Sequence, residues 1–402
     1  MRVLFMPLGL STHYLHLVPL AWAFRSAGHE VRIASQGQAV ESILRSGMTL
    51  SHVGRDYDFV ENWKRTLVEL GRTIEAGDDR RAEAARRSPE ERERLINLRT
   101  EPFLKSAVAM MADLIPLARS WQPDLVIADP LVLAAPLLAK SIGVPLVHHL
   151  YGPAVNERVG FGGVGPGTMP WPDGLRQLFA DYGLAARAQY SVRAVDPCPD
   201  SLQFPGVPNR LPIRYVPYNG PGVAPAWLSE PVARPRICVT WGATHTEMVG
   251  SSNFLVPQIL TALEGIDADV VVAVSAADRD LVTATSPNVR IEVGLPLHTL
   301  LPTCDAIVHH GSSGTMLTAA SAGVPQVIVP VFMDRAEIAQ LVADSGAGVH
   351  VPLETADTAH LSAAVTRALS DPTMKKSAES LRQEMLATPS PSEVVKTLEE
   401  LS

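Results

Sequence analysis

The chain has 402 residues, of which 46% are hydrophobic and 5% are aromatic, and its formal net charge is −8. This length exceeds the usual size of one hydrophobic core and indicates two domains. The acidic balance removes the electrostatic basis for binding nucleic acid, and no apolar run is long enough to span a membrane.

The cysteines and the first residues indicate a cytoplasmic protein. Cys198, Cys238 and Cys304 are odd in number and far apart, which argues against a disulfide framework and against a metal site. The first ten residues are apolar but carry one arginine and lack a small-residue cleavage site. We therefore predict a first strand there and no signal peptide.

Short apolar runs alternate with helix-length segments through the first half of the chain, a pattern typical of a parallel sheet. The intervening segments that favour helices include Leu15–Ala27 and Pro130–Ile142. We predict an N-terminal α/β domain over residues 1–205. Its strands are predicted at Val3–Leu8, Val31–Ala34, Leu125–Ala128 and Leu146–Leu150.

A charged insert, residues 63–105, interrupts this pattern. It is rich in arginine and glutamate and has no apolar stripe wide enough for a core helix. A solvated helical excursion is the plainer interpretation, and a mobile lid over a binding cleft is the alternative.

The second half repeats the alternation of strands and helices. A proline-rich stretch without periodicity separates the halves, and we interpret residues 206–233 as a linker. A C-terminal domain is predicted over residues 234–388, followed by a helix within 389–402. Its strands are predicted at Ile237–Thr240, Val270–Val274, Val289–Val293, Ala306–Val308 and Gln326–Pro330.

The segment His309–Thr315, HHGSSGT, is the most informative stretch. It lies between a predicted strand and a predicted helix, Met316–Ala322, so the backbone N–H groups of Ser313, Gly314 and Thr315 would be free at a helix N-terminus. Gly311 permits close approach of a ligand, and His310 adds a side-chain donor. These features indicate a diphosphate site, with an ordinary glycine-containing turn as the alternative.

His13 and Asp129 each follow a predicted strand of the first domain. Because the carboxyl ends of parallel strands share one edge of a sheet, both side chains would meet where ligands bind. A histidine held by a carboxylate can accept a proton from an acceptor hydroxyl. His16 and His149 would line the acceptor cleft or be partly buried residues without chemistry, and His148 is open to the same two interpretations.

These segments, with the start MRVLFMPLGLSTH and the middle stretches VDPCPDSLQ and RYVPYNGPGVAPAW, resemble the bacterial nucleotide-sugar glycosyltransferases of the GT-B fold. The chain is most similar to the urdamycin C-glycosyltransferase and its angucycline and tetracycline relatives. The resemblance implies two Rossmann-like domains whose parallel sheets face each other across a cleft. It also implies inverting transfer of a deoxysugar from a TDP-sugar to an aromatic polyketide aglycone in antibiotic biosynthesis, with C-glycoside formation favoured and an O-glycoside as the alternative.

The resemblance assigns further donor-site residues. The family's Asp-Gln pair at the donor sugar corresponds to Asp334 and Arg335, so sugar recognition differs here. Leu295 stands where plant relatives stack a tryptophan on the base, which leaves base recognition to backbone groups around Leu295 and Leu297. Thr244 would supply a hydroxyl near the first strand of the second domain.

In the family, a histidine of a G-H-x-x-P motif is the base and an aspartate orients it. His13 and Asp129 match these positions, whereas Thr12 replaces the glycine and His16 replaces the proline. Thr12, His16 and His149 are therefore predicted acceptor-site residues, and whether His13 or Asp129 is the direct base stays open.

The resemblance implies no metal and no cofactor, since the TDP-sugar is a co-substrate. It also implies that the C-terminal helix packs back on the first domain, and it leaves a homodimer open. Two other functions remain: an inactive helper protein that binds sugar nucleotides, and a nucleotide-sugar epimerase of similar architecture.

Overall fold

The computed structural model describes residues 1–73, 88–155, 173–185, 190–242, 244–284 and 286–401. Within them, the strands form a seven-stranded and a six-stranded parallel sheet. The first sheet contains β1 Arg2–Met6, β2 Glu30–Ser35, β3 Leu50–His52, β4 Leu125–Ala128, β5 Leu146–His149, β6 Arg193–Asp196 and β7 Arg210–Pro212. The second contains β8 Arg236–Thr240, β9 Asp269–Val274, β10 Val289–Val293, β11 Ala306–His309, β12 Gln326–Ile328 and β13 Gly348–His350.

Helices cover the faces of both sheets, as continuously apolar parallel strands require. They are α1 Val18–Ser26, α2 Ala39–Arg45, α3 Phe59–Thr73, α4 Pro89–Trp121, α5 Ala134–Ile142, α6 Asp173–Asp181, α7 His245–Val249, α8 Val256–Ala262, α9 Leu297–Leu300, α10 Ser313–Ala322, α11 Met333–Asp344, α12 Thr358–Ser370, α13 Pro372–Ala387 and α14 Pro391–Glu399. None of the helices in these ranges has the length and apolar character needed to cross a bilayer.

Strand β1 shows how the sequence builds two layers of core. Val3 and Phe5 contribute to one buried cluster, and Leu4 and Met6 contribute to another. Successive side chains of a strand point to opposite faces, so the four-residue run fills both layers. The predicted α/β fold with two parallel sheets is confirmed.

The strand order places a crevice at the carboxyl edge of each sheet. In the first sheet β1 lies between β2 and β4, and Met6 pairs with Ala128. In the second sheet β8 lies between β9 and β11, and Thr240 pairs with His309. The loops that follow these central strands therefore diverge, which is where open α/β sheets bind ligands.

Three helix starts differ from the predicted ones. The chain makes two 3₁₀ turns, Ser11–His13 and Leu15–Leu17, before α1 begins at Val18. His16 therefore lies in a 3₁₀ turn and not in the first helix. The helix predicted from Pro130 begins at Ala134, and the helix predicted from Met316 begins at Ser313.

The predicted boundary at residue 205 differs from the structure, because β7 pairs with β6 of the first sheet. A three-residue edge strand has no long apolar run, and its proline is tolerated at the edge. Arg210 holds it in place, with its Nε donating to the buried Asp196 carboxylate at 2.5 Å. The predicted linker therefore begins with a strand of the first domain.

The charged insert also differs from a purely solvated excursion where it is described. The ring of Phe103 on α4 contacts Phe59 and Trp63 on α3, with centroids 5.0 and 5.9 Å apart. Thr66 and Leu70 are buried as well. Both ends of the insert thus pack on the first domain, and residues 74–87 lie outside the described residues.

The last helix, α14, packs against the first domain. Val394, Val395 and Leu398 belong to the same buried cluster as Val3 and Phe5. The backbone N–H of Arg214 donates to the carbonyl of Pro389 at 2.7 Å, where the chain crosses between the halves. This segment thus joins the two domains a second time.

Candidate active site

His13 and Asp129 form a hydrogen-bonded pair at the carboxyl edge of the first sheet. His13 Nδ1 lies 2.7 Å from Asp129 Oδ2, although 116 residues separate them in the chain. The other carboxylate oxygen accepts the backbone N–H of Leu131 at 2.8 Å. The Asp129 side chain is fully buried and that of His13 is 19% exposed. Because the carboxylate engages Nδ1, the ring's Nε2 is the nitrogen left to accept a proton.

Three further histidines surround this pair. Burial lowers the pKa of His148 and of His149 to about 4. Burial, followed by the neighbouring His149 and His13, lowers the pKa of His16 far below its ordinary value. These imidazoles are therefore neutral at pH 7, and the carboxylate of Asp129 is the charge beside His13. The ring of Tyr151 contacts His13 edge-on at 4.9 Å.

The predicted acceptor-site residues have different surroundings. Thr12 is exposed in the first 3₁₀ turn. The rings of His16 and His149 lie 5.1 Å apart, and His149 Nδ1 donates to the carbonyl of Leu150. Thr12 is thus accessible to a ligand, whereas His149 is a buried wall of the crevice.

The loop between β11 and α10 presents a helix N-terminus. Met316 makes the first bond of the helix, to the carbonyl of Ser312. The preceding N–H groups, at Ser313, Gly314 and Thr315, have no acceptor among the described residues. Ser312 Oγ donates to Thr315 Oγ1 at 2.9 Å, which leaves the Thr315 hydroxyl proton available. The loop therefore offers a cluster of donors to an anion.

His310 lies beside this helix terminus in a cluster of rings. It is buried, and its centroid is 5.7 Å from Trp241 and 5.4 Å from His245. Burial, then the charge of Arg335, lowers its pKa far below the ordinary value, so His310 is a neutral donor at pH 7. Gly242 has φ +80°, and a Cβ there would lie 2.6 Å from His310 Cε1. Glycine at this position lets the histidine ring fit against the backbone.

Asp334 and Arg335 lie in the first turn of α11. This turn lies against the segment His309–Thr315, which we call the donor loop. A Cβ at Gly311 would lie 3.1 Å from Arg335 Cβ. Arg335 Nη1 donates to His245 Nδ1 at 3.1 Å, and its guanidinium lies over the ring of Phe332. The structure thus places Asp334 and Arg335 beside the loop that contains His310.

The remaining predicted donor residues lie in two other segments of the second domain. Thr244 precedes α7 and accepts the N–H of Met248 through its carbonyl. Leu295 is buried in the core, and Leu297 begins α9 next to it. The side chains of Leu295 and Leu297 thus belong to the core, and only the backbone groups of these two residues are suited to bind a nucleotide base.

Sequence reasoning missed two residues that connect these donor segments. Asn219 Nδ2 donates to Thr318 Oγ1 at 3.3 Å, and its Oδ1 accepts the backbone N–H of His298 at 2.9 Å. The hydroxyl of Tyr215 lies 3.0 Å from the same Thr318 oxygen. Both residues lie in the predicted linker, residues 206–233, which is rich in proline and has no periodic pattern.

Gly152 brings the two crevices together. It follows β5 of the first sheet, and a Cβ built on it would overlap the side chain of Ser313 in the donor loop. A second contact, from Gln38 Nε2 to Glu247, joins the halves nearby. The histidine-carboxylate pair and the helix N-terminus therefore belong to one composite site.

Two parallel-sheet domains that share such a site define a GT-B glycosyltransferase that uses nucleotide-sugar donors. The Erythromycin biosynthesis protein CIII-like N-terminal domain matches residues 22–242, and the corresponding C-terminal domain matches residues 257–401. The chain belongs to this family.

Individual relatives agree with the assignment over the full length. Tylactone mycaminosyltransferase from Streptomyces fradiae is 35% identical, with 100% of this chain and 92% of the relative covered. Aclacinomycin-T 2-deoxy-L-fucose transferase from Streptomyces galilaeus is 34% identical, with 100% and 96% covered. The crystal structure of glycosyltransferase VinC in complex with dTDP superposes with a TM-score of 0.80 at 33% identity, with 100% and 99% covered.

The comparisons support a broader assignment than the sequence resemblance did. They show glycosyltransferases of the polyketide deoxysugar type, and not the urdamycin C-glycosyltransferase in particular. The motifs that carried the resemblance, above all the donor loop, are shared by the whole family, so they could not separate one branch from another.

Proposed function

We propose that this protein transfers a deoxysugar from a thymidine diphosphate sugar to a polyketide aglycone in antibiotic biosynthesis, with inversion at the anomeric carbon. The observation that carries the proposal is the composite site: the His13–Asp129 pair of one domain meets the donor loop of the other across Gly152. Named relatives that transfer deoxysugars to tylactone and to aclacinomycin T support the substrate class.

The second domain holds the donor in this mechanism. The free N–H groups of Ser313, Gly314 and Thr315 and the neutral ring of His310 bind the diphosphate oxygens. Asp334 accepts hydrogen bonds from sugar hydroxyls. The base lies against backbone groups around Leu295 and Leu297, and Thr244 borders the same pocket. When the bond from the anomeric carbon to the diphosphate oxygen breaks, these donors stabilise the charge left on TDP.

The first domain activates the acceptor. His13 Nε2 takes the proton of an acceptor hydroxyl, and the oxygen attacks the anomeric carbon from the face opposite the nucleotide. Asp129 holds the ring through Nδ1 and stabilises the imidazolium. Both Asp129 oxygens are engaged and the side chain is fully buried, which favours His13 as the direct base. Thr12 and the rings of His16, His149 and Tyr151 border the acceptor.

This proposal needs no metal and no cofactor besides the donor. The helix N-terminus and the side chains around His310 meet the diphosphate charge. Among the described residues, no group of three or more histidine, cysteine, aspartate or glutamate side chains is arranged to hold a metal ion.

The oxygen of the acceptor is the proposed nucleophile. The finer sequence-based prediction, that C-glycoside formation is favoured, is not supported by the relatives. A phenolate also carries charge on its ortho carbon, so the same base could serve C-transfer if the aglycone were turned. The product therefore depends on how the acceptor lies against Tyr151 and His13.

Product analysis tests the function. The purified protein is incubated with TDP-deoxysugars and a panel of aromatic and macrolide aglycones, and products are identified by mass spectrometry and NMR. We expect an acid-labile O-glycoside of inverted configuration. An acid-stable product with a carbon–carbon bond at the anomeric centre would reverse the choice of nucleophile. Donor conversion without an aglycone would indicate an epimerase, and TDP binding without any product would indicate a helper protein.

A further inference from the structure

Arg335 is a cation that lacks a carboxylate partner. No aspartate or glutamate of the described residues lies within ion-pair distance of its guanidinium. The charge of Asp334, which is adjacent in the chain, favours the ionised form of Arg335. Burial lowers the pKa of Arg335 to about 10, so the group stays charged at neutral pH. A partly buried cation with so little compensation is a site for an anion.

Neutral groups fix the position of this cation. Arg335 Nη1 donates to His245 Nδ1 at 3.1 Å, and the guanidinium lies 4.8 Å from the ring centroid of Phe332. Burial, then the charge of Arg335, lowers the pKa of His245 to about 4, so His245 accepts this bond as a neutral ring. His309 and His310, which also lie near the guanidinium, are neutral for the same reason. The guanidinium is oriented and keeps its full charge.

Two buried ring nitrogens beside the guanidinium have no hydrogen-bond partner among the described residues. Because His245 Nδ1 accepts from Arg335, its Nε2 carries the proton, and this N–H finds no acceptor in the described part of the chain. His310 Nδ1 is buried and likewise without a partner there. Both residues are only 2% exposed. Unsatisfied polar groups at this depth are costly, and they accompany the free N–H groups at the start of α10.

Taken together, this geometry points to Arg335 as a phosphate-binding residue of the donor site that His245 positions, so that the pocket selects nucleoside diphosphates by charge. The inference rests on the proposed function for the identity of the donor. Guanidinium N–H groups that His245 does not use bind a diphosphate oxygen, which adds a charge-assisted contact to those of His310 and the helix N-terminus.

Calorimetric titration of thymidine, TMP and TDP into Arg335→Gln tests the phosphate contact without any turnover. We expect TDP affinity to fall about 10- to 100-fold and thymidine affinity to change less than about twofold. Arg335→Lys keeps the charge and should recover part of the loss. Arg367→Gln, which removes an exposed charge of the same domain, is the matched control and should bind as the wild type does.

Further variants separate positioning from contact. His245→Phe removes the acceptor and should lower TDP affinity, whereas His245→Asn keeps an acceptor and should restore part of it. Equal losses for thymidine and TDP would show a structural role only, and unchanged TDP affinity with weaker TDP-rhamnose binding would place the contact on the sugar. Either result overturns the inference. Arg335-dependent TDP binding in a protein that transfers no sugar would sustain it while the proposed function fails.

Discussion

The two halves of the molecule build their parts of the site in opposite ways. The donor half presents one continuous segment, the loop from β11 into α10, whose backbone N–H groups need only a helix to point at an anion. The acceptor half joins His13 to Asp129, which are 116 residues apart and meet only because β1 and β4 are neighbours. In the proposed function, donor binding is thus a local property of the chain, and acceptor activation is a property of the sheet topology.

The largest expected effect is the loss of folding stability at acidic pH, which tests whether the two halves respond alike. His148 and His149 of one half and His245 and His309 of the other have pKa values lowered to about 4 by burial, against 6.5 in an unfolded chain. Below pH 6.5 the unfolded state binds protons that the folded state does not bind. The free energy of unfolding therefore falls as the pH drops toward 4. Together the four groups remove on the order of 10 kcal/mol by pH 4.

Stability against urea, followed at intervals from pH 7.5 to pH 4, checks this expectation. Because each half holds two such histidines, tryptophan fluorescence and circular dichroism of the whole chain should report loss of both halves over the same pH range. Stability that stays level down to pH 4.5 would contradict the neutral buried rings.

Substitution of His13 or Asp129 tests whether acceptor activation and donor binding are separate functions of the two halves. Asp129→Ala and His13→Ala should each lower turnover about 10²- to 10⁴-fold, because the acceptor hydroxyl loses its base or the base loses its orientation. TDP affinity should stay within about twofold, since the donor loop belongs to the other half. Steady-state kinetics measures the turnover, and titration of TDP into the same preparations measures the affinity. A large loss of TDP affinity in either variant would mean that the halves are not separable.

A smaller loss of turnover is expected when the contact between the two halves at Gly152 is changed. Gly152→Ala places a methyl group against Ser313 and should displace the donor loop from the acceptor crevice. Turnover should fall about 10- to 100-fold, as misplacement of reacting groups does. Gly174→Ala is the control, because among the described residues its methyl group would meet only the flexible tip of Leu104. Equal kinetics for the two variants would remove Gly152 from the composite site.

The smallest effect is expected inside the donor half. Asn219→Ala removes hydrogen bonds that tie His298 to Thr318, and the segment around Leu295 loses its anchor. Affinity for thymidine and for TDP should fall by a similar factor of about five. Titration of both ligands measures it. A loss confined to TDP would show that Asn219 acts on the diphosphate and not on the nucleoside segment.

Sequence reasoning reached the fold and the helix N-terminus at Ser313 because both follow from local sequence patterns. Apolar runs such as Val3–Leu8 predict parallel strands, and HHGSSGT predicts a helix N-terminus. The edge strand at Arg210–Pro212 was missed because three residues carry no period. The bond from Arg335 to His245 was missed because 90 residues separate them and no local pattern indicates that their side chains meet.

The release of TDP from a TDP-deoxysugar, measured in a single turnover with and without aglycone, tests the central claim most directly. We expect one TDP for each glycoside formed, with release at least about 100-fold slower when no aglycone is present, because attack by an activated acceptor breaks the sugar–phosphate bond. Release at the same rate without an aglycone would contradict the account of the protein as a transferase that joins a donor half to an acceptor half.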